Sequence, residues 1–423
     1  MAGGKGTRVS SIASDIPKPM IPICEKPILE HQIECLKRNS LTDIVLVIGH
    51  LGQHIIDYFG DGSSFGCNIT YFTETEPLGT AGALYKLDNL TKDFLLLNGD
   101  VIFDMDFSRM INFHKEKNAL VTLAVHPNNH PFDSALIISN SENQVTGWIN
   151  KEDERTWYKN MVNAGVHLIS TDFLDNFPQA KEKVDLDRDM LKANIKCGKI
   201  FAYSTPEYIK DMGTPERFNQ VTSDIKNGIV HGKNLSVKQK AVFLDRDGTI
   251  NTLSSFLTKP EEFELIDGTA EAIKIINRLG YLAIVITNQP VIARGDVDFE
   301  TLDLIHMKME TELGKQGAYL DDIFYCPHHP DKGFEGERKE YKIDCDCRKP
   351  KPGMILKAAE KYNIDLSQSY MVGDHKRDIE CGINAGCFPV FLTCGEGKKE
   401  DFNINNLKIF NSLKEFSDSL AEQ

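Results

Sequence analysis

A chain of 423 residues, 41% hydrophobic and 26% charged, is long enough for two hydrophobic cores, so two domains is the default. Its net charge of −14 argues against nucleic acid or an anionic membrane surface as partner, and any phosphate it handles must meet local basic residues. Apolar runs such as "IVLVI" and "FLLL" are too short to span a bilayer and no signal peptide is read, which points to a cytoplasmic protein whose ten cysteines are free thiols or metal ligands.

The chain opens "MAGGKGTRVSS". Gly3, Gly4 and Gly6 let backbone approach phosphate oxygens without Cβ clashes, and Lys5 and Arg8 add mobile positive charge. The spacing matches neither a Walker A motif nor GxGxxG. Lys18 lies between two prolines on a rigid extended segment able to bring an ammonium onto a triphosphate. "ILEHQIECLKRN" reads as an amphipathic helix, and "TDIVLVIGHL", "NITYFTE", "DFLLLNGDVIF", "ALVTLAVHP", "NAGVHLIS" and "KIFAYST" read as strands, several apolar on both faces. Gly79 and Gly82 form a second glycine loop that a flat base can approach. Asp100 ends a buried strand and Asp211 lies in "YIKDMGTPERF"; two carboxylates from distant strands, with basic groups, can hold magnesium and a triphosphate for in-line attack.

Residues 226–239 are polar and aperiodic, so they are read as a linker between a domain at 1–225 and one at 240–423. A second α/β series follows, with strands "KAVFLDRDG", "YLAIVITNQ", "DDIFYCPHH", "SYMVGD" and "FPVFLT" and helices at about 269–279, 299–316, 353–363 and 376–386. "FLDRDGTIN" puts Asp245 and Asp247 at a strand end, where one carboxylate can attack a phosphoryl group while the other delivers a proton. "VGDHKRD" offers Asp374 and Asp378, hard oxygen ligands suited to magnesium. "TNQ" supplies Thr287 as a hydroxyl donor, with Asn288 beside it on the substrate side, and "CRKPKPG" supplies Arg348 and Lys349 as cationic donors. Cys326, His328, Cys345 and Cys347 make a closed tetrahedral set suited to structural zinc, with free thiols, or His329 in place of His328, as alternatives.

This second constellation resembles the haloacid dehalogenase phosphatase superfamily, and more closely the D,D-heptose 1,7-bisphosphate phosphatases, through "FLDRDGTIN", "TNQ…IARG", "YCPHHP", "CDCRKPKPGM" and "SYMVGD". The resemblance implies Asp245 as nucleophile and Asp247 as acid and base. It puts magnesium on Asp245, the main-chain oxygen of Asp247 and Asp374. Thr287 and Lys349 then hold phosphoryl oxygens, Arg348 contacts substrate, and zinc pins the loop around the substrate site. Pro290 and Val291 stand where family members commonly have Ser and Gly, and His375 where a lysine often stands.

The first half resembles the sugar-1-phosphate nucleotidylyltransferases, which implies a Rossmann-like fold with a mixed sheet. By that resemblance Gly3, Gly4, Lys5, Gly6, Thr7 and Arg8 cradle nucleotide phosphates, Lys18 stabilises the α-phosphate, and Asp100 and Asp211 bind magnesium. Lys151 matches the sugar-phosphate lysine, and Asn163 and Gly165 line the sugar pocket. Relatives carry a central strand before the glycine loop, so this domain is expected to be marginal without it. A phosphatase that leaves a heptose 1-phosphate beside a domain that consumes a sugar 1-phosphate implies heptose bisphosphate, heptose 1-phosphate and GTP as small-molecule partners. Another nucleotide or sugar, a non-catalytic sugar-nucleotide sensor, or a histidinol-phosphate type of phosphatase are the alternatives.

Overall fold

The computed structural model describes residues 1, 16–88, 90–179, 182–252, 256–333, 335–395 and 407–422. The loop Gly3, Gly4, Lys5, Gly6, Thr7 and Arg8 lies outside the described residues. The chain divides into two compact units. The first comprises Met1–His126, Ala135–Asn150 and Val162–Asn234, and the second Pro127–Ser134, Lys151–Met161 and Leu235–Gln423.

The first unit is mixed α/β. Helix α1 (Ile28–Arg38) buries Ile28, Leu29, Ile33 and Leu36 on one face, as the i, i+1, i+5, i+8 spacing of these apolar residues requires. Strands β1 (Asp43–Ile48) and β2 (Asn68–Thr73) pair in parallel. The run "DFLLLNGDVIF", read as one strand, is two: β3 (Asp93–Leu97) and β4 (Val101–Asp104), separated by Asn98, Gly99 and Asp100, which break the ladder so that each half pairs elsewhere. Strands β5 (Val121–His126), β6 (Leu136–Ser139), β7 (Val145–Ile149), β8 (Val162–Ser170) and β9 (Ile200–Ser204) form a sheet in the order β9-β5-β8-β6-β7, and β3 joins it antiparallel to β8. Only the β9–β5 pair in that sheet is parallel. Strand β10 (Tyr208–Asp211) runs antiparallel to β4, and Met1 bonds to the end of β3 through Leu97 O and Gly99 N.

The second unit is built on one parallel sheet. Strands β11 (Ala241–Leu244), β12 (Leu282–Asn288), β13 (Asp322–Cys326), β14 (Tyr370–Gly373), β15 (Phe388–Leu392) and β16 (Lys408–Phe410) lie in the order β13-β12-β11-β14-β15-β16. β11 and β14 are buried along their whole length, which is why both read as unbroken apolar runs. The helices that close the two faces include α2 (Thr269–Arg278), α3 (Phe299–Lys315), α4 (Gly353–Tyr362) and α5 (Lys376–Ala385), in the places that the apolar periodicity gives them. Within residues 226–239, Leu235 O and Val237 O accept from Asn363 Nδ2, at 3.0 and 3.1 Å. Among the described residues no helix is long and apolar enough to cross a membrane.

Candidate active sites

Strand order in the second unit reverses direction between β11 and β14, and open α/β sheets bind ligands at the carboxyl ends of such a pair. Asp245 is the first residue after β11 and Asp374 the first after β14. Asp245, Asp374 and Asp378 each offer an oxygen within 4.8 Å of the others, and all three are buried. Buried Lys349 places Nζ 2.8 Å from Asp245 Oδ1 and 2.6 Å from Asp378 Oδ1. Three buried carboxylates with an oxygen each this close together, beside the Lys349 ammonium, are the hard oxygen donors that a divalent cation takes. The donor set therefore fits magnesium.

Burial and the Asp378 carboxylate hold the Asp245 carboxyl above its ordinary value, with Lys349 opposing them. Burial works against charge on Lys349, but Asp245 and Asp378 outweigh it and hold the ammonium above the usual lysine value. Asp378 has a further part, since its Oδ2 accepts from His375 N at 3.0 Å and closes the N-terminus of α5.

Asp247 is enclosed by donors. Its Oδ1 accepts from Arg246 Nε at 3.0 Å, Arg246 Nη2 at 2.9 Å and Asn251 Nδ2 at 3.2 Å, and its Oδ2 from Gln289 Nε2 at 2.9 Å. Gln289 Nε2 also donates to Thr287 Oγ1 at 3.0 Å, so one amide ties the proposed phosphate donor to the proposed acid. Asn288, expected at the substrate, binds the backbone of Lys349 on both sides, accepting from its N at 3.0 Å and donating to its O at 3.1 Å. Arg348 is half-buried and donates to His328 O at 3.1 Å. Pro290 precedes a helical turn, Val291–Arg294, in which Val291 and Ile292 are buried against Val297 and Leu302.

Cys326, His328, Cys345 and Cys347 bring one ligand atom each within 4.8 Å of the rest. The sulfur separations are 3.2 to 3.5 Å, and His328 Nδ1 lies 3.3 Å from Cys347 Sγ and 3.7 Å from Cys326 Sγ. Four atoms so close, three of them soft sulfur, fit a tetrahedral zinc site with no position left for water. Of the two neighbouring histidines it is His328 that joins the cluster, while His329 Nδ1 faces Asp331.

In the first unit, Met212 N donates to Asp100 O at 3.0 Å and Asp211 stands opposite Val101 in the β4–β10 ladder. The register thus puts Asp100 and Asp211 at the same end of neighbouring strands. Lys18 Nζ reaches Asp100 Oδ2 at 2.6 Å, and Asp211 is held by Arg217 Nη1 at 2.8 Å. Asn163 and Gly165 lie at a bulge in β8, where Gly165 turns with φ +70°. Asn163 Nδ2 donates to Asp187 Oδ1 at 3.2 Å, and burial, reinforced by Asp185, pushes the Asp187 carboxyl up to about 6. The close approaches at Gly79 and Gly82 are to the chain's own backbone: a Cβ at Gly79 would lie 2.4 Å from Val184 O, and one at Gly82 2.7 Å from Glu182 O. Lys151 falls in the second unit, exposed and 3.7 Å from Glu152.

Residues 1–228 match the nucleotidyl transferase family, and residues 346–416 match the HAD-hydrolase-like family. Over 145 residues the chain is 44% identical to the D-glycero-beta-D-manno-heptose-1,7-bisphosphate 7-phosphatase of Photorhabdus laumondii, covering 34% of this chain and 75% of that protein. The phosphatase of the same name from Escherichia coli K12 is 43% identical over 148 residues, 34% of this chain and 74% of that one. A crystal structure of D,D-heptose 1,7-bisphosphate phosphatase from B. bronchiseptica, complexed with magnesium and phosphate, has a TM-score of 0.39 and 34% identity over 44% of this chain and 99% of that chain. The chain belongs to both families. Its nucleotidyl transferase unit carries Lys18, Asp100 and Asp211 together. Its heptose-bisphosphate-phosphatase unit carries Asp245, Asp374, Asp378 and Lys349 together.

Sequence reasoning missed several residues that the phosphatase unit brings to its site. Asp378 was legible as an oxygen ligand but not as the partner of Lys349. Gln289 and Asn251 are ordinary polar residues by sequence. Arg246 did leave a signal, being a charged side chain between two aspartates directly after a strand that is buried throughout.

Proposed function

We propose that the chain is a two-step sugar-nucleotide enzyme. The second unit removes the 7-phosphate of D-glycero-D-manno-heptose 1,7-bisphosphate, and the first transfers a guanylyl group from GTP to the resulting heptose 1-phosphate, giving GDP-heptose and pyrophosphate. The observation that carries the reading is the buried cluster of Asp245, Asp374, Asp378 and Lys349 at the reversal point of a parallel sheet. The joining of the two families in one chain supports the pairing, because a phosphatase that spares the anomeric phosphate makes what a nucleotidyl transferase consumes.

In this reading an Asp245 oxygen attacks the 7-phosphorus, the bond from phosphorus to the sugar oxygen breaks, and Asp247 gives that oxygen a proton. Water then attacks the aspartyl phosphate as Asp247 takes its proton, and inorganic phosphate leaves. Lys349 and Thr287 hold the phosphoryl oxygens, and Arg348 faces substrate beside the Cys and His cluster. Magnesium held by Asp245, Asp374 and the main-chain oxygen of Asp247 supplies positive charge against the phosphoryl group. Zinc on Cys326, His328, Cys345 and Cys347 is structural. In the first unit Lys18 draws charge from the α-phosphate while an oxygen of the sugar phosphate attacks it, with Asp100 and Asp211 as the magnesium ligands.

Phosphorus NMR of the protein with heptose 1,7-bisphosphate, GTP and magnesium tests both halves at once. Inorganic phosphate is expected first, then pyrophosphate and a sugar-diphosphate signal. Phosphate without pyrophosphate, with GTP and with every other nucleoside triphosphate tried, overturns the assignment of the first unit. No phosphate overturns that of the second.

A further inference from the structure

Arg246 is one of the largest fully buried side chains in the protein, with 1% of its surface exposed. Every nitrogen of its guanidinium has a partner: Nε and Nη2 go to the Asp247 carboxylate, and Nη1 lies 3.3 Å from His306 Nε2. His306, on α3, is buried and packs against Tyr325 with ring centroids 5.6 Å apart. A guanidinium clamped between a carboxylate and an imidazole cannot rotate, and it fixes the plane of the carboxylate it holds in two places. Asn251 and Gln289 reach the same carboxylate from two further directions.

We propose that Arg246, anchored by His306, is a positioning residue that sets the Asp247 carboxylate for proton transfer to and from the reacting oxygens. The inference rests on the phosphatase reading above. The Arg246 guanidinium touches neither nucleophile nor substrate in it; only the backbone N–H, which a side-chain substitution leaves in place, donates to Asp245 Oδ1 at 2.7 Å. His306 acts one step further out, as the acceptor that keeps the guanidinium in place.

The test uses the full-length protein with magnesium, heptose 1,7-bisphosphate and p-nitrophenyl phosphate, whose leaving group departs without a proton. In Arg246→Met the nucleophile is intact, so p-nitrophenyl phosphate is expected to give a rapid burst of about one nitrophenolate per chain. Turnover after the burst is expected at least ten times slower than wild type, because the water step needs a positioned Asp247. Turnover of the sugar bisphosphate is expected to fall about a hundredfold in kcat with little change in KM. A site that has merely lost its shape loses the burst as well, and that result overturns the proposal. His306→Leu and His306→Gln keep the test open if Arg246→Met does not fold. Leu is expected to lower kcat for the sugar bisphosphate about tenfold, while Gln, which retains an acceptor, stays within about threefold of wild type. Wild-type turnover by the Leu variant, or equal losses in both, overturns the proposal. A wild-type enzyme that releases nitrophenolate but no phosphate from the heptose bisphosphate would sink the substrate assignment alone and leave the nitrophenolate burst as the arbiter of positioning.

Discussion

Asn288 holds Lys349 by both faces of its peptide, accepting from Lys349 N and donating to Lys349 O. That grip aims the Lys349 ammonium at Asp245 and Asp378. Asn288→Ala removes two hydrogen bonds, each contributing about 0.5–1.5 kcal/mol net, and leaves their backbone partners unpaired. The variant is expected to lose about tenfold or more in kcat for phosphate release, and a few degrees in the thermal midpoint of the second unit. Nucleotidyl transfer by the same preparation is the internal control. An unchanged kcat would show that Lys349 is aimed by its ion pairs alone.

His167 gives the first unit a pH dependence whose sign is fixed. It sits mid-strand in β8 with 1% exposure, and neither ring nitrogen has a hydrogen-bond partner. Burial pushes the imidazole down to about 4, outweighing the opposing effect of the Leu96 backbone. An unfolded histidine titrates near ~6.5. Between those values the unfolded chain binds a proton that the folded chain refuses, so stability rises with pH across this window and is level above it. At pH 4.5 the difference is about 2–3 kcal/mol. His167→Leu is expected to remove it. The chain has two tryptophans, of which Trp148 lies in the first unit and Trp157 in the second, so Trp148 fluorescence in a Trp157→Phe background reports the first unit alone. Urea titrations at pH 7 and 4.5 that lose equal stability with and without His167 refute the assignment.

What was legible in the sequence is what single strands and short spacings carry. Asp245 and Asp374 could be placed because each directly follows a short apolar run, and a strand buried on both faces delivers its next residue to the sheet edge. The Cys and His set was legible from ligand chemistry and spacing. Illegible were contacts closed by tertiary folding between residues with no common motif. Lys349 meets Asp378 across 29 positions, Gln289 reaches Asp247 across 42, and Gly79 is needed by Val184 rather than by open space. Residues 127–134 and 151–161 read as loops of the first half, yet they group with the second unit, where Tyr158 N donates to Thr311 Oγ1 on α3 at 2.9 Å. Strand periodicity is silent about such grouping, because polar loop residues carry no period.

Gly79 separates the two activities. Its φ of +85° is strained for any side chain, and an added Cβ would meet Val184 O at 2.4 Å, in a segment that pairs with residues 78–81 through Val184 N and Val184 O. Gly79→Ala must displace that segment, which also carries the Asp187 partner of Asn163. A cost of about 2–4 kcal/mol is expected from strain and lost packing combined. Pyrophosphate release should fall more than tenfold while phosphate release stays within about twofold. Equal losses in both activities would mean that the glycine matters to the whole chain rather than to the first unit.

The cysteine cluster predicts a metal content and says which histidine provides it. Hydrogen bonding from Cys326, Cys345 and His328 outweighs burial and holds the Cys347 thiol below the usual cysteine value, which favours thiolate ligation. Purified protein is expected to contain one zinc per chain, and cobalt replacing it should give the intense visible absorption of tetrahedral thiolate ligation. Acidification to about pH 5 should release the metal, since protons then compete for thiolate and imidazole. Cys345→Ser and His328→Ala are each expected to lose the zinc and to lower the thermal midpoint of the second unit by on the order of 10 °C. His329→Ala should keep both, because that ring faces Asp331 and stands outside the cluster. Retention of zinc by the His328 variant together with its loss from the His329 variant would reverse the ligand assignment.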